Sequence, residues 1–203
     1  MRVGPVAMMF ANQPDKTGEV FRLAMECAWL THGHSSGFLS AAAFAVILHA
    51  VLCGQPLETG VDSATRQLMT QPEHEEVLRS IDAALRLARS NVSNDEAIRE
   101  LGEAWVGEEA LGVAIFCTLR ANEFETGVRM AVNHDGDSDT TGILVGQLLG
   151  AKYGLEALPN RWLEGLELRE VLMAVAADLS EHESWNLDEY EFDEKVVARY
   201  PGG

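Results

Sequence analysis

Basic side chains are scarce in this chain of 203 residues. It carries 15 lysines and arginines against 32 aspartates and glutamates, which gives a formal net charge of −17. A surface this negative repels phosphate backbones and anionic lipids, so neither nucleic acid nor a membrane is expected as a partner. The charge is still compatible with an anionic ligand that is held in a local pocket.

Cysteine is also rare, with three residues in the whole chain. Cys27, Cys53 and Cys117 are widely spaced and lie inside apolar runs. This pattern fits neither a disulfide framework nor a zinc site. We therefore expect reduced thiols, which are typical of a cytoplasmic protein.

No apolar run reaches the length of a membrane span. The longest one, at 38–53, has 16 residues and is interrupted only by Ser40 and His49. Crossing a bilayer takes about 20 residues. The segment is therefore predicted to form a buried central helix.

Alternating strand patterns and Asn-Gly hairpin turns are absent, and nearly every segment has helical periodicity. The Ser93 and Glu96 pair reads as a capping box that begins one short helix. The sequence predicts an all-α fold with a single domain over residues 1–180. Helices are predicted at 17–31, 35–53, 73–89, 93–102, 107–120, 123–132, 140–153 and 168–180.

The last segment, 181–203, differs from the rest. It is rich in aspartate and glutamate and carries Trp185, Tyr190 and Phe192. Two interpretations remain open for it. It is either a solvated acidic tail or a strap that docks its aromatic side chains on the domain.

The strongest local signal is an acidic cluster at 133–142. Asp135, Asp137 and Asp139 follow one another at two-residue spacing, and Thr140 comes next, at the start of a predicted helix. Three carboxylates this close repel one another unless donors, solvent or a cation relieve them. Two interpretations therefore remain open, a helix N-cap or a site for a hard divalent ion. An EF-hand is excluded, because Thr140 stands where that loop needs glycine.

Four blocks of the sequence carry a family resemblance. Residues 133–154 resemble the C-terminal metal motif of the ADP-ribosylglycohydrolases. Three further blocks agree with that family in order and spacing, namely MRVGPVA at 1–7, THGHSSG at 31–37 and GEAWVGEEAL at 102–111. The resemblance covers residues 1 to about 180.

The resemblance implies an all-α fold with two neighbouring divalent ions, usually Mg²⁺ with Mn²⁺ as an alternative, in a cleft that binds ADP-ribose. The ions orient the distal ribose and activate water. The glycosidic bond between ADP-ribose and a modified protein side chain or small acceptor is then cleaved. Carried over to this chain, the metal ligands are Asp137, Asp139 and Thr140, and Asp139 is the catalytic residue that touches both ions.

The same resemblance implies three ligand-binding residues. His32 is expected to contact the diphosphate or the nearby ribose. Trp105 and Glu108 are expected to border the ligand. From the residues alone, Trp105 could equally pack against the protein, and Glu108 could serve the helix dipole.

One part of the family pattern is missing. The family has a Thr-Asp-Asp motif that completes both metal shells, and no such motif occurs here. The resemblance begins at Met1, inside the family pattern, so we expect an N-terminally truncated domain whose missing ligands come from another segment or polypeptide. The alternative hypothesis is a non-catalytic module that binds ADP-ribose or has only a structural role.

Overall fold

A computed structural model describes residues 1–182 and 194–200. Those residues contain α-helices, two short 3₁₀ turns and no strand, which confirms the predicted all-α fold. The described chain falls into two compact units, Met1–Gly165 and Leu166–Gly203. Whether the domain extends to residue 180 stays a prediction.

The first unit contains ten of the helices. They are α1 (Gly4–Met9), α2 (Thr17–Trp29), α3 (Ser35–Leu52), α4 (Leu57–Leu68), α5 (Glu75–Ala88), α6 (Asn94–Leu101), α7 (Gly107–Arg120), α8 (Phe124–Val132), α9 (Ser138–Tyr153) and α10 (Asn160–Glu164). The periodicity predicted seven of these ten helices, whereas α1, α4 and α10 were not predicted. The capping box of Ser93 and Glu96 begins α6 as expected.

Helices α3 and α7 form the centre of this unit. Helix α3 packs against α1, α2, α4, α7 and α9, while α7 packs against α5, α8 and α9. The fully buried side chains include Leu48 on α3 and Phe116 on α7. By length and composition α3 could cross a membrane, but 67% of it is buried inside the fold, as in the core helix of a globular domain.

His49 ties the chain between α1 and α2 to this core. The side chain is buried, and its Nε2 atom lies 3.0 Å from the carbonyl oxygen of Phe10 and 3.1 Å from that of Gln13. Because both neighbours are acceptors, Nε2 carries the proton and donates to them. The contact fixes the N-terminal segment against α3.

The second unit contains α11 (Arg169–Glu181) and α12 (Glu194–Arg199). Asp178 on α11 accepts a hydrogen bond from the Tyr200 hydroxyl at 2.6 Å and pairs with Arg199 Nε at 2.6 Å. The end of the acidic segment therefore contacts α11. Trp185, Tyr190 and Phe192, on which the strap hypothesis depends, lie outside the described residues.

The buried thiol of Cys117 predicts a loss of stability at alkaline pH. Burial raises the pKa of this thiol to about 12 from an ordinary value of 9.0. Folding therefore favours the neutral thiol, and its stabilising contribution is present below pH 9 and is lost as the pH rises toward 12. We expect the free energy of unfolding to fall by up to about 1.4 kcal/mol per pH unit in this window.

Chemical denaturation at several pH values between 8 and 11 measures how the free energy of unfolding changes with pH. Cys117→Ala is the matched control, since it keeps an apolar residue at the position and removes the titrating group. In that variant, the fall of the free energy of unfolding with pH that is attributed to Cys117 should be missing. Equal slopes in the two proteins would contradict the assignment.

Candidate functional site

A cleft of about 790 Å³ opens on the first unit. Its walls come from the first residues of the chain, from the loop before α3, and from the first turns of α3, α7 and α9. Three helix N-termini therefore face one cavity. Each of them presents backbone N–H groups and the positive end of a helix dipole. These helix ends, together with Arg2, are local sources of positive potential beside the carboxylates of Glu76, Glu108 and Asp137 in the same lining.

Gly107 allows α3 and α7 to begin side by side. A Cβ atom on Gly107 would lie 3.4 Å from the Cα of Gly37 and would collide with the Ser40 hydroxyl. The absence of a side chain at Gly107 is what lets the first turn of α7 approach that of α3. Both turns can then line the same cleft.

The acidic loop, which joins α8 to α9 and contains the aspartates of the 133–142 cluster, forms the part of the cleft wall next to α9. Asp137 is the N-cap of α9, and its Oδ1 accepts from the Thr140 N–H at 3.3 Å. Asp139 Oδ1 accepts from the same N–H at 2.8 Å. The helix-capping interpretation of the cluster is thus realised in the structure, and these contacts leave carboxylate oxygens free for other partners.

The local environment keeps Asp137 ionised. Burial alone would raise the pKa of this carboxyl. Its hydrogen bonds with the Asp139 side chain and with the Thr140 hydroxyl and backbone N–H outweigh that effect, with help from nearby His134, and hold the pKa below its ordinary value of 3.8.

The acidic loop is anchored through Glu103 to the segment between α6 and α7. The Asp137 N–H donates to the Glu103 carbonyl oxygen at 2.8 Å. Gly136 lies directly against the same peptide unit, so that a Cβ there would be 2.6 Å from the Glu103 carbonyl carbon. Glu103 also accepts from the Trp105 indole N–H at 3.0 Å. Glu103 therefore fixes the positions of both the acidic loop and the Trp105 side chain.

His134 and Thr141 hold the other side of the acidic loop. The His134 Nδ1 atom accepts from the Gly136 N–H at 3.1 Å, and its Nε2 lies 2.9 Å from Thr141 Oγ1. Thr141 is fully buried and donates to the Ala131 carbonyl oxygen at 2.6 Å. These bonds fix the path of the chain from α8 into α9.

The cleft brings together most of the predicted site residues. His32, Trp105, Glu108, Asp137 and Thr140 all line it, although they come from three separate parts of the sequence. Asp139 does not line the cleft. Its side chain is exposed beside it, hydrogen-bonded to the Thr140 N–H.

The donor set suits a hard divalent ion, but only as a partial shell. The carboxyl groups of Asp137 and Asp139 lie side by side, since both accept from the Thr140 N–H. Oxygen donors of this kind are preferred by Mg²⁺ and Mn²⁺, and Mg²⁺ usually keeps several waters beside one or two carboxylates. Within residues 1–182 and 194–200, no cluster of three or more His, Cys, Asp or Glu side chains is placed to hold a metal.

Glu108 contributes an unusual carboxylate. Its Oε2 atom is buried and lacks a hydrogen-bond partner among the described residues. A buried acceptor without a donor is unfavourable by about 1–3 kcal/mol. A ligand hydroxyl or N–H in the cleft would relieve that cost.

Sequence reasoning missed Arg2 as a residue of the cleft. Its guanidinium donates to the Cys27 carbonyl oxygen at 2.8 Å and to Thr31 Oγ1 at 2.7 Å. The arginine stands in the first of the four family-like blocks, so the block itself was the available signal. The spatial pairing of Arg2 with Thr31 could not be deduced from spacing, because the two residues are 29 positions apart.

Comparison with known proteins places this chain in a family. The model of the ADP-ribosylglycohydrolase family matches residues 1–188. The chain therefore belongs to the ADP-ribosylglycohydrolase family, as the four blocks indicated.

Individual relatives agree with that placement. The chain is 27% identical over 204 residues to ADP-ribosylhydrolase ARH3 of Bos taurus, covering 85% of this chain and 54% of the relative. It is 30% identical to an uncharacterised protein of Archaeoglobus fulgidus, covering 89% and 56%. A solved structure titled "ADP-ribosylglycohydrolase-related protein complex" superposes with a TM-score of 0.59 at 30% identity, covering 87% of this chain and 56% of that one. The chain spans about half the length of the relatives it matches.

Proposed function

We propose that the cleft binds ADP-ribose and that the chain belongs to a hydrolase. Its reaction would be Mg²⁺-dependent cleavage of the bond between ADP-ribose and a modified protein side chain or small acceptor. The observation that carries this proposal is the convergence of five predicted site residues with three helix N-termini on one cavity. The family and the name of the ARH3 relative support the same activity.

The diphosphate is the part of the ligand that the helix ends would hold. Helix α7 begins without a side-chain cap, so the first N–H groups of this helix have no side-chain acceptor. Such groups bind phosphate well, and Arg2 adds a cation to the same cleft. This local arrangement explains how a protein with a net charge of −17 could bind an anion.

Asp137, Asp139 and Thr140 would hold the divalent ion. When bound, the ion would supply Lewis-acid chemistry, orienting ribose hydroxyls and lowering the pKa of water. The chain's own residues have separate tasks: Glu108 would accept a hydrogen bond from the ligand, and Trp105 would cover one of its flat groups. Because only two carboxylates meet here, the remaining ligands would come from water, the substrate or a further segment.

Calorimetric titration with ADP-ribose, with and without Mg²⁺, tests the binding step. We expect saturable binding that Mg²⁺ strengthens, followed by release of ADP-ribose from ADP-ribosylated proteins when these replace the free ligand. Failure to bind ADP-ribose under either condition would overturn the proposal.

Trp105 offers a sharper test, because the chain contains a matched control. Trp105 is 67% exposed and lines the cleft, whereas Trp29 is 66% exposed and lies outside it. Aromatic stacking on a base is worth about 1–3 kcal/mol. We expect Trp105→Ala to raise the Kd for ADP-ribose about tenfold and Trp29→Ala to leave the Kd unchanged. An equal effect of the two substitutions would remove Trp105 from the binding site.

A second candidate function is an ADP-ribose-binding module without catalysis. It is favoured by one observation, that the described residues contain no cluster of three or more His, Cys, Asp or Glu side chains placed to hold a metal. This candidate predicts the same binding isotherm with no release of ADP-ribose from a modified protein. Multiple turnover by the 203-residue chain would exclude it.

A further inference from the structure

The imidazole ring of His32 is fixed between two neighbours. Its Nδ1 atom lies 2.8 Å from Thr31 Oγ1. On its other side Gly37 is so close that a Cβ there would lie 3.2 Å from the Cβ of His32 and 3.7 Å from its Cδ2. The remaining ring nitrogen, Nε2, has no hydrogen-bond partner among the described residues.

The contacts of Thr31 decide which ring nitrogen carries the proton. A threonine hydroxyl has one proton and two acceptor lone pairs. The Arg2 guanidinium can only donate, and it uses one lone pair of Thr31 Oγ1 at 2.7 Å. The hydroxyl proton then has two acceptors within reach, the Ala28 carbonyl oxygen at 3.4 Å and His32 Nδ1 at 2.8 Å.

The histidine contact is the better of the two. An O–H donor prefers heavy-atom distances of about 2.5–3.0 Å, and the Ala28 contact is well outside that range. The positive charge of Arg2 also polarises the hydroxyl and makes it a stronger donor. When Nδ1 accepts this proton, the neutral ring must carry its own proton on Nε2.

We propose that Thr31, supported by Arg2, is a positioning residue that fixes the tautomer of His32. The ring is held with its proton on Nε2, as a hydrogen-bond donor available to the cleft. A phosphate oxygen of the ligand accepts only, so this tautomer binds it and the opposite tautomer does not. The ligand part of the inference rests on the proposed function, while the tautomer is a property of the free protein.

Nitrogen NMR of histidine-labelled protein at pH 8, without ligand, tests the tautomer. Protonated and unprotonated ring nitrogens resonate far apart, and a His32→Gln sample identifies the His32 signals. We expect a protonated Nε2 and an unprotonated Nδ1 in the wild type and in Thr31→Ser. Thr31→Val should show a mixture of the two tautomers. A protonated Nδ1 in the wild type, or no change in Thr31→Val, would overturn the proposal.

Titration with ADP-ribose forms the second arm. Loss of one charge-assisted hydrogen bond should raise the Kd about five- to tenfold in Thr31→Val, with recovery in Thr31→Ser. Thr70→Val is the matched control, because it replaces a threonine whose hydroxyl makes a local hydrogen bond, to the Gln67 carbonyl oxygen at 2.7 Å, after the end of α4 and away from the cleft. If the wild type binds no ADP-ribose, the proposed function fails, and the NMR result still decides the role of Thr31.

Discussion

Replacement of Gly136 with alanine is expected to destroy ligand binding and to destabilise the first unit. The new Cβ would lie 2.6 Å from the Glu103 carbonyl carbon and 2.8 Å from its Cα, and it would collide with the carbonyl oxygen. These are backbone atoms, so no rotamer change relieves the overlap, and the acidic loop must move away from Glu103. Such overpacking reduces the free energy of unfolding by about 2–3 kcal/mol.

The displacement should also remove Asp137 and Thr140 from the cleft wall. A shift of about 1 Å at a site is enough to cost about a hundredfold in activity. We therefore expect the affinity for ADP-ribose and Mn²⁺ to fall below detection in Gly136→Ala, and thermal melts to show a Tm lower by about 4–10 °C.

Gly146 provides the control for this experiment. It lies inside α9, where a Cβ would meet no atom within 4 Å. Gly146→Ala should stabilise the protein by about 0.5–1 kcal/mol, because alanine is the better helix former. Binding should be unchanged. If Gly136→Ala behaved like Gly146→Ala, the contact between the acidic loop and Glu103 would not exist in solution.

The second large effect is expected for Asp139. If its carboxylate is a metal ligand, Asp139→Ala should weaken the binding of Mn²⁺, used as a spectroscopic stand-in for Mg²⁺, by at least about a hundredfold. Mg²⁺-dependent release of ADP-ribose should disappear with it. Electron paramagnetic resonance of free Mn²⁺ measures the first quantity, independently of any activity.

The variant Asp135→Ala shows whether Asp139 coordinates the ion or acts only through its negative charge. It is an exposed carboxylate of the same loop and does not line the cleft. Asp135→Ala removes the same charge, so a general electrostatic contribution would weaken Mn²⁺ binding in both variants alike. A loss confined to Asp139→Ala supports coordination, and equal losses would remove Asp139 from the ligand set.

The fold was predictable where the apolar pattern alone determines a helix. Helix α5 and the buried α3 and α7 follow directly from it. Helix α4 was missed although Leu57, Val61 and Ala64 lie on one face, because Gly60 interrupts a segment with weak helix formers. Gly60 is needed for packing, since a Cβ there would lie 3.0 Å from the Ile47 carbonyl oxygen on α3. Such a close approach between helices cannot be derived from local propensity.

The candidate site was predictable only in part. The family-like blocks identified His32, Trp105 and Asp137, all of which line one cleft. The structure adds the backbone bond between Asp137 and Glu103, which joins positions 34 residues apart. It also places Ala104 at φ 62°, a left-handed conformation that local rules assign to glycine. Both features depend on tertiary contacts that no spacing rule contains.

The position of Met1 has a practical consequence for every assay of this chain. Met1 lines the cleft, as does Arg2 next to it. Residues joined ahead of Met1, whether native or added for purification, would start from the wall of the ligand-binding cavity. Affinities measured with a leading tag would therefore describe a different cavity from the one that begins at Met1.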